Sequence, residues 1–344
     1  MAAQNNAPLP EGLEIAGYRI VKKIASGGFS IVYLAYDAEG SAVAIKEYLP
    51  SALALRQPGE LAPVIARPNL PLFRIGLKCF FEEGRALARI IHPNVVRILN
   101  FFRANETVYM VMAYESGHSL QEHIARSAGK NGGKGAGNGS RLGEAFIRRV
   151  FDGVCRGLRE THANKLLHLD LKPANIYLRT DGSPILLDFG AARRAVGVDT
   201  PMLAPMYTPG FAPPDLYARG LALGPWSDIY SLGASMFACM TGLPPQAADA
   251  RKENDGLPAQ FDALAGAYSP ELVATVRACL SLDPMARPQS VFAVQKALQA
   301  APSMPPAAQL AVESTVEPEA PAPGGLRKLL GRLGGFGRAH GASD

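Results

Sequence analysis

The residues best suited to chemistry lie in two short segments in the middle of the chain, 168–175 (HLDLKPAN) and 188–190 (DFG). Asp170 can accept a proton from a hydroxyl group, and Lys172 can neutralise charge on a phosphoryl group in transfer. Asn175 and Asp188 offer hard oxygen ligands suited to Mg²⁺. Because Pro173 prevents a helix there, these side chains should project from a loop. Any one acidic residue is more often structural, but this combination at these spacings would be a rare coincidence.

A lysine and a glutamate nearer the N-terminus could complete such a site. Segment 43–46 (VAIK) has the pattern of a β-strand, whose period of two places Ala44 and Lys46 on one face. A small residue beside a cation suits a planar base stacked above a phosphate, although a single strand lysine is more often a solvated edge residue. Glu83 shares the apolar stripe of a predicted helix with Phe80, where a carboxylate is costly unless it is paired. Lys46 is the obvious partner, and the alternative is that Glu83 lies at the edge of the stripe.

The segment 25–32 (ASGGFSIV) forms a Gly-containing turn between two predicted strands. Small residues in such a turn allow backbone N–H groups to approach phosphate oxygens closely. Taken alone, the segment is more often an ordinary hairpin turn, so its meaning depends on the other segments.

The hydrophobic pattern predicts a scaffold in two parts. The first part is a sheet with one helix, with strands predicted at 18–24, 31–36, 42–48, 95–102 and 108–114, and the helix at 73–91. Several prolines exclude a long helix from the connection 49–72. The second part is mainly helical, with helices predicted at 119–127, 142–163, 227–242, 270–281 and 288–299, and a hairpin at 175–178 and 184–187. The fold class is therefore α+β.

The composition limits the class of protein. The chain has 344 residues, of which 48% are hydrophobic and 19% charged, so wholesale disorder is excluded. It contains no run of 18 apolar residues that could form a spanning helix. The net charge of +5 is weak evidence for any nucleic acid partner, and none is predicted. Four widely spaced cysteines and an N-terminus without a signal-peptide core favour a reducing cytoplasm.

Taken in order, these motifs resemble those of the bacterial eukaryotic-like (Hanks-type) serine/threonine protein kinases over residues 18–299. Beyond the segments already described, the matching motifs are HPN at 92–94, TPGFAPPD at 208–215, WSDIY at 226–230 and RP at 287–288. The resemblance implies a two-lobed protein-kinase fold, with an N-lobe of antiparallel sheet plus one helix (18–115) and a mainly helical C-lobe (116–299).

The resemblance also implies a role for each matching catalytic residue. Lys46 would hold the α- and β-phosphates of ATP, with Glu83 as its ion-pair partner. Asp170 would be the catalytic base, and Lys172 would contact the γ-phosphate, a choice typical of the serine/threonine type. Thr208 would bond the Asp170–Lys172 pair from the substrate loop.

The cofactors that the resemblance implies are ATP and Mg²⁺, with Mn²⁺ as a substitute. Asn175 and Asp188 would be the metal ligands, and Asp228 would anchor the catalytic loop. The nucleotide would contact residues of the Gly-rich turn, the sheet, the hinge and the C-lobe, namely Ala25, Ser26, Gly27, Gly28, Val32, Ala44, Lys46, the gatekeeper Met112, the backbone of Ala113 and Glu115, and Tyr177.

Several positions depart from the pattern of the family. Ala25 and Ser30 replace the first and third glycines of the Gly-rich turn, which should lower the affinity for ATP. Leu169 stands where many kinases carry the arginine that receives an activation-loop phosphate, so activity without that switch is expected. Consistent with this, Thr200 is the only hydroxyl residue between positions 191 and 206.

Two further departures concern the scaffold. Asp215 replaces the glutamate that usually pairs with the position of Arg287, and its shorter side chain would reach directly or through water. The connection 49–72 is longer than in most kinases, and we expect it to fold over the N-lobe.

Three classes of function are compatible with these motifs. The predicted one is an active protein kinase that phosphorylates serine or threonine hydroxyls of protein substrates. A pseudokinase-like scaffold that binds nucleotide without efficient transfer is favoured only by Ala25, Ser30 and Leu169. A small-molecule kinase of the aminoglycoside-phosphotransferase type shares the His-x-Asp loop, but it normally lacks the counterparts of Lys172 and of the loop 208–215.

Three segments are expected to lie outside the packed fold. Residues 1–17 are predicted to be flexible, 129–140 to be a Gly-rich insertion, and 300–344 to be a Pro/Ala-rich linker with a basic tail. The tail at 324–338 places leucines at helical offsets beside arginines, which fits a membrane surface or a partner groove. Its glycines disfavour a free helix, so a solvated tail stays open as the alternative. The predicted location is the cytoplasm, or the inner membrane face if the tail binds lipid.

Overall fold

The structure is a computed structural model that describes residues 6–130, 142–189, 208–216 and 222–301. The predicted insertion at 129–140 and the linker and tail at 300–344 lie almost wholly outside the described residues, and Gly190 and Thr200 also lie outside them. The described residues all belong to one unit, Met1–Met304.

The first part of the chain forms an antiparallel sheet. Its strands are β1 (Glu14–Ile15), β2 (Tyr18–Ser26), β3 (Ser30–Tyr36), β4 (Ala42–Tyr48), β7 (Ile98–Ala104) and β8 (Thr107–Ala113), in the order β1-β2-β3-β4-β8-β7. Side chains of β3 alternate between buried and half-buried, as expected of a strand with one covered face. The fourth predicted strand starts later than expected, because Val95 forms only an isolated bridge to Leu186 before the sheet begins at Ile98.

One long helix, α1 (Leu70–Ala88), packs against β7 and β8 of this sheet. It begins three residues before the predicted start because Pro71 lies in its first turn, where the missing N–H has no helical partner. Its buried face carries Phe73, Phe80, Glu83 and Leu87, so the carboxylate of Glu83 lies within the apolar stripe and not at its edge.

The connection between β4 and α1 is folded back onto the N-terminal segment. It contains a small hairpin of β5 (Ala54–Leu55) and β6 (Val64–Ile65). The backbone N–H of Ala7 donates to the carbonyl of Arg56 at 3.1 Å, and the side chain of Leu9 is 3% exposed. The prediction of a flexible segment at 1–17 is therefore wrong for residues 6–17, since backbone hydrogen bonds and buried apolar surface hold them.

A buried ion pair joins β4 to this connection. The guanidinium of Arg56 contacts both oxygens of Glu47, with Nη1–Oε1 at 2.6 Å and Nη2–Oε2 at 2.8 Å, and neither side chain is exposed. Tyr33 and Tyr109 each donate a hydroxyl to Glu47 at 2.8 Å. Burial, together with the charge of Glu47, raises the pKa of Tyr33 and keeps its hydroxyl protonated. Such a pair resists opening because either partner alone would be a buried, unpaired charge.

The second part of the chain is mainly helical. Its helices are α2 (Leu120–Lys130), α3 (Glu144–Ala163), α4 (Pro225–Thr241), α5 (Ala248–Glu253), α6 (Leu257–Asp262), α7 (Pro270–Cys279) and α8 (Val291–Gln299). A small sheet of β9 (Gly117–Ser119), β10 (Ile176–Arg179) and β11 (Pro184–Leu186) has the order β11-β10-β9. The helices α5 and α6 escaped prediction because six residues are too few to show a helical period. Among the described residues, no helix has the length and apolar character needed to span a bilayer.

Candidate active site

One face of the sheet gathers four of the residues predicted to contact a nucleotide. Val32 lies directly opposite Lys46 on the neighbouring strand, and Ala44 lies opposite Met112. Residues that face each other across an antiparallel pair share one side of the sheet, as do residues two apart on a strand. The strand register therefore brings these four side chains onto one surface.

Lys46 links this surface to the second part of the chain. Its Nζ lies 2.9 Å from Oδ1 of Asp188, which follows β11, and 5.6 Å from the ring centroid of Phe80 on α1. Glu83 lies one turn beyond Phe80 and is 4% exposed. The structure thus places Glu83 on the buried face of α1 that Lys46 approaches, and its pairing with Lys46 stays a prediction.

The turn between β2 and β3 is shorter than the Gly-rich motif at 25–32. Ala25 pairs with Val32 and Ser26 with Ile31, so both residues belong to β2 and not to the turn. The turn is closed by the N–H of Gly27, which donates to the carbonyl of Ser30 at 2.9 Å. Alanine at position 25 fits because an extended strand conformation is open to every residue type, so the first glycine of the usual pattern is not needed there.

Two residues of the hinge after β8 already make hydrogen bonds within the protein. The N–H of Ala113 donates to the carbonyl of Arg97 at 2.9 Å. The guanidinium of Arg179 makes a bidentate contact with the carboxylate of Glu115, with Nε–Oε2 at 2.7 Å and Nη2–Oε1 at 3.0 Å. The backbone of Ala113 and Glu115 stays the predicted contact for adenine. Arg179 was not identified from the sequence, since nothing local to β10 indicates a carboxylate from the hinge.

A buried carboxylate on α4 fixes the backbone of the catalytic loop. Asp228 accepts hydrogen bonds from the N–H groups of His168 and Leu169, each at 2.8 Å, and contacts Nε2 of His162 at 2.8 Å. Burial alone would raise the pKa of Asp228, but the hydrogen bond and charge of His162 hold that pKa below its ordinary value. Leu169 has a φ of 59°, a strained conformation for a side chain of this size that these hydrogen bonds maintain.

The predicted base contacts two polar side chains, and a third joins them through the lysine. Oδ1 of Asp170 lies 3.1 Å from Nζ of Lys172, and Oδ2 accepts a hydrogen bond from Nδ2 of Asn175 at 2.8 Å. Nζ of Lys172 also donates to Oγ1 of Thr208 at 2.9 Å. The structure therefore brings together Asp170, Lys172, Asn175 and Thr208, and their catalytic roles stay predictions.

The two predicted metal ligands are adjacent in space. Nδ2 of Asn175 lies 3.5 Å from the carbonyl oxygen of Asp188, and the N–H of Leu187 donates to the carbonyl of Asn175 at 2.9 Å. Within the described part of the chain, the hydrogen bonds of the Asn175 side chain are made by its Nδ2, and the role of its Oδ1 as a metal ligand stays a prediction. An amide oxygen and a carboxylate fit Mg²⁺, which usually takes few protein ligands and completes its shell with phosphates and water.

Two supporting residues also meet as predicted. The guanidinium of Arg287 makes a bidentate contact with the carboxylate of Asp215, with Nη2–Oδ1 at 2.8 Å and Nη1–Oδ2 at 3.1 Å. Aspartate reaches directly, and the pair needs no bridging water. Tyr177 is half-buried on β10, opposite Ser119 of β9.

A comparison with protein families identifies the class to which this fold and site belong. The model of the protein kinase domain matches residues 18–300, most of the chain. The chain therefore belongs to the protein kinase family, as its motifs predicted.

Bacterial serine/threonine kinases are among its relatives. Serine/threonine-protein kinase PknK of Mycobacterium tuberculosis is 29% identical over 331 residues, which covers 91% of this chain and 27% of that protein. Serine/threonine-protein kinase B of Synechocystis sp. is 27% identical over 249 residues, which covers 69% of this chain and 38% of that protein. The chain thus spans well under half the length of these two relatives.

Solved structures show the same fold. The apo form of PpkA-294 is 34% identical, with a TM-score of 0.75 over 85% of this chain and 99% of that one. The kinase domain of Mycobacterium tuberculosis PknI is 21% identical, with a TM-score of 0.60 over 85% of this chain and 98% of that one. The two-lobed kinase architecture that the sequence predicted is confirmed, and the boundary at 115/116 stays a prediction.

Proposed function

We propose that this chain is an ATP-dependent protein kinase that transfers the γ-phosphoryl group to serine or threonine hydroxyls of proteins. The observation that carries the proposal is the network around Asp170, in which Lys172, Asn175 and Thr208 meet at hydrogen-bond distances of 2.8 to 3.1 Å. The names of the bacterial relatives support serine and threonine as the acceptors.

In this proposal Asp170 accepts the proton of the attacking hydroxyl group. Asn175 donates to Oδ2 and Lys172 lies at Oδ1, so the carboxylate is held in one orientation before a substrate arrives. Such positioning makes the attack effectively unimolecular, which is the main source of rate in phosphoryl transfer. Thr208 links Lys172 to the substrate loop, so the base and the surface that would receive the peptide are joined by one side chain.

Charge on the phosphates would be met by two lysines and by a metal ion that two further residues hold. Lys46 would contact the α- and β-phosphates, and Lys172 would contact the γ-phosphate as negative charge redistributes toward the leaving oxygen. Asn175 and Asp188 would hold Mg²⁺, which neutralises phosphate charge when it is bound. The 2.9 Å contact between Lys46 and Asp188 keeps these two groups near each other across the cleft.

The assay that tests the function uses the purified full chain with γ-labelled ATP and a generic basic protein. With Mg²⁺ present, we expect label on serine or threonine of the chain itself or of the added protein, located by mass spectrometry. Excess EDTA should reduce the labelling at least about 100-fold. It removes Mg²⁺, and the protein side chains cannot offset the phosphate charge without that metal ion. Mn²⁺ added after EDTA is expected to restore part of the rate.

The scaffold alternative makes a different prediction in the same assay. A pseudokinase would bind ATP in calorimetry and yet give equal, background labelling with and without EDTA. Phosphorylation of an aminoglycoside but of no protein would instead indicate a small-molecule kinase.

For the tail at 324–338 we propose binding to an anionic membrane surface, on the sequence pattern alone, since it lies outside the described residues. The full chain is expected to sediment with vesicles that contain phosphatidylglycerol at low salt, and a chain that ends at residue 323 is expected to stay in the supernatant. Neutral phosphatidylcholine vesicles are the control. Equal sedimentation of both chains would contradict the proposal.

A further inference from the structure

The chain after β4 continues along the Gly-rich turn and bonds to its apex. The N–H of Leu49 donates to the carbonyl of Phe29 at 2.9 Å, and the N–H of Ser51 donates to the carbonyl of Gly28 at 2.9 Å. The hydroxyl of Ser51 contacts the same carbonyl at 3.3 Å. Three donors from residues 49–51 therefore converge on the two carbonyls at the apex of the turn. We call residues 49–51 the tether.

The tether is itself held at both ends. Its N-terminal side continues from Glu47, and five residues beyond its C-terminal side lies Arg56, the buried partner of Glu47. Between them the carbonyl of Pro50 accepts the N–H groups of Leu53 and Ala54, at 3.0 and 2.9 Å. The loop from 47 to 56 is thus closed by an ion pair with no exposed side-chain surface, so the tether is a firm support and not a second mobile loop.

The tether orients the backbone amides of the turn. Ser30 lies opposite Tyr48. The hydrogen bond is made by the adjacent residues, Leu49 and Phe29, so Ser30 and Tyr48 form a non-hydrogen-bonded pair. The N–H and C=O of Ser30 therefore point away from β4. The carbonyl of Ser30 already closes the turn by accepting the N–H of Gly27. The N–H of Phe29 and the carbonyl of Gly28 belong to the same planar trans peptide and point in opposite directions. Because the carbonyl points toward Ser51, the N–H of Phe29 points away from Ser51.

We propose that Ser51 is a positioning residue, which holds the Gly-rich turn so that the amides of Phe29 and Ser30 face the phosphates of ATP. The inference rests on the proposed function in that ATP is taken to bind in this cleft. Successive N–H groups that point into one concavity form an anion site. Ser30 stands where the family pattern has its third glycine, a replacement expected to lower the affinity for ATP. In this chain the tether fixes the conformation of the turn and so offsets that loss.

Three variants at position 51 separate the two donors. Ser51→Pro removes both the N–H and the hydroxyl, and proline suits this position because Ser51 is the second residue of the turn that Leu53 N–H closes onto Pro50. Ser51→Ala removes only the hydroxyl, and Ser51→Thr keeps both donors. Melting curves of all three report on the fold.

The readout is binding of Mg·ATP and of adenosine, measured by calorimetry on the full chain. We expect the Kd for Mg·ATP to rise about tenfold in Ser51→Pro and about threefold in Ser51→Ala, and to be unchanged in Ser51→Thr, because each lost hydrogen bond weakens the oriented state modestly. Adenosine carries no phosphate, so its Kd should be the same in every variant. Binding does not depend on transfer, so a wild-type chain that binds Mg·ATP but transfers nothing would refute the proposed function and leave this test intact.

Two results would overturn the inference. The first is a folded Ser51→Pro variant with the wild-type Kd for Mg·ATP. The second is an equal rise for Mg·ATP and adenosine, which would mean that Ser51 supports the whole cleft and not the phosphate side of it. If Ser51→Pro fails to fold, the comparison of Ser51→Ala with Ser51→Thr decides, and equal affinities for Mg·ATP in these two would reject the role of the hydroxyl and the proposal with it.

Discussion

Asp170→Asn is expected to lower kcat for phosphoryl transfer by about 10³-fold, within the range that a positioned general base contributes. The substitution replaces one carboxylate oxygen with an NH₂ group of nearly the same size, so the packing around the loop should persist. Lys172 and Asn175 both contact this carboxylate, at 3.1 and 2.8 Å, and the substitution takes away the acceptor that they share. An amide can accept at one atom only, and its NH₂ group would face one of these two donors. The base is lost, and its partners lose their shared acceptor.

The kinetic pattern distinguishes loss of a base from loss of binding. Because Asp170 acts on the acceptor hydroxyl, the Kd for Mg·ATP should stay within about threefold of wild type while kcat falls. Asp262→Asn is the matched control, since the side chain of Asp262 is 78% exposed and only loosely paired with Arg277 at 3.4 Å. Asp262→Asn should keep the wild-type rate. Equal transfer by wild type and Asp170→Asn would remove the aspartate from the mechanism.

The catalytic loop was predictable because its chemistry is written in adjacent residues. Asp170, Lys172 and Asn175 fall within six positions, and Pro173 marks the segment as a loop. The network they form with Thr208 was expected only through the resemblance to kinases. No local signal joins two residues that are 36 positions apart.

The contacts made by the connection after β4 could not be predicted in the same way. Leu49 and Ser51 donate their backbone N–H groups, which every residue except proline possesses, and the serine hydroxyl adds a donor that many residues share. The sequence therefore carries no mark of their partners. Prolines in the connection 49–72 correctly excluded a long helix, but they said nothing about where the segment packs. The result is that a segment with no chemical motif supports the turn that has one.

The buried pair of Glu47 and Arg56 did leave a signal that was not used. Glu47 alternates along β4 with Val43 and Ile45, which are 2% and 0% exposed, so the period of two placed a carboxylate on a covered face. A buried carboxylate needs a cation, and Arg56 is the first arginine to follow it. The connection was expected to fold over the N-lobe, but no partner of Glu47 was sought in it.

Lys46→Met is the second substitution with a large expected effect, a fall in kcat of about 10²- to 10³-fold. Methionine keeps an unbranched apolar side chain and removes the ammonium group, whose Nζ lies 5.6 Å from the ring centroid of Phe80. Without that charge the phosphates lose a cation, and the carboxylate of Asp188 loses its contact with Lys46 at 2.9 Å. Both losses act on the reacting phosphates, so the rate should fall more than the affinity for adenosine, which should not change.

The same substitution should leave the fold nearly intact, and this separates a catalytic lysine from a structural one. Removing one partner of a fully buried ion pair is strongly destabilising, but the side chain of Asp188, which contacts Lys46 at 2.9 Å, is 34% exposed and stays hydrated when Lys46 is replaced. The predicted partner Glu83 is 4% exposed and would lose a cation, so we expect a moderate fall in the melting temperature, by about 5 to 10 °C. Lys252→Met, at an exposed position on α5, is the control and should match wild type in both rate and stability. A Lys46→Met chain that is largely unfolded would show that the lysine is structural, whereas a folded chain with wild-type kcat would remove Lys46 from the phosphate site.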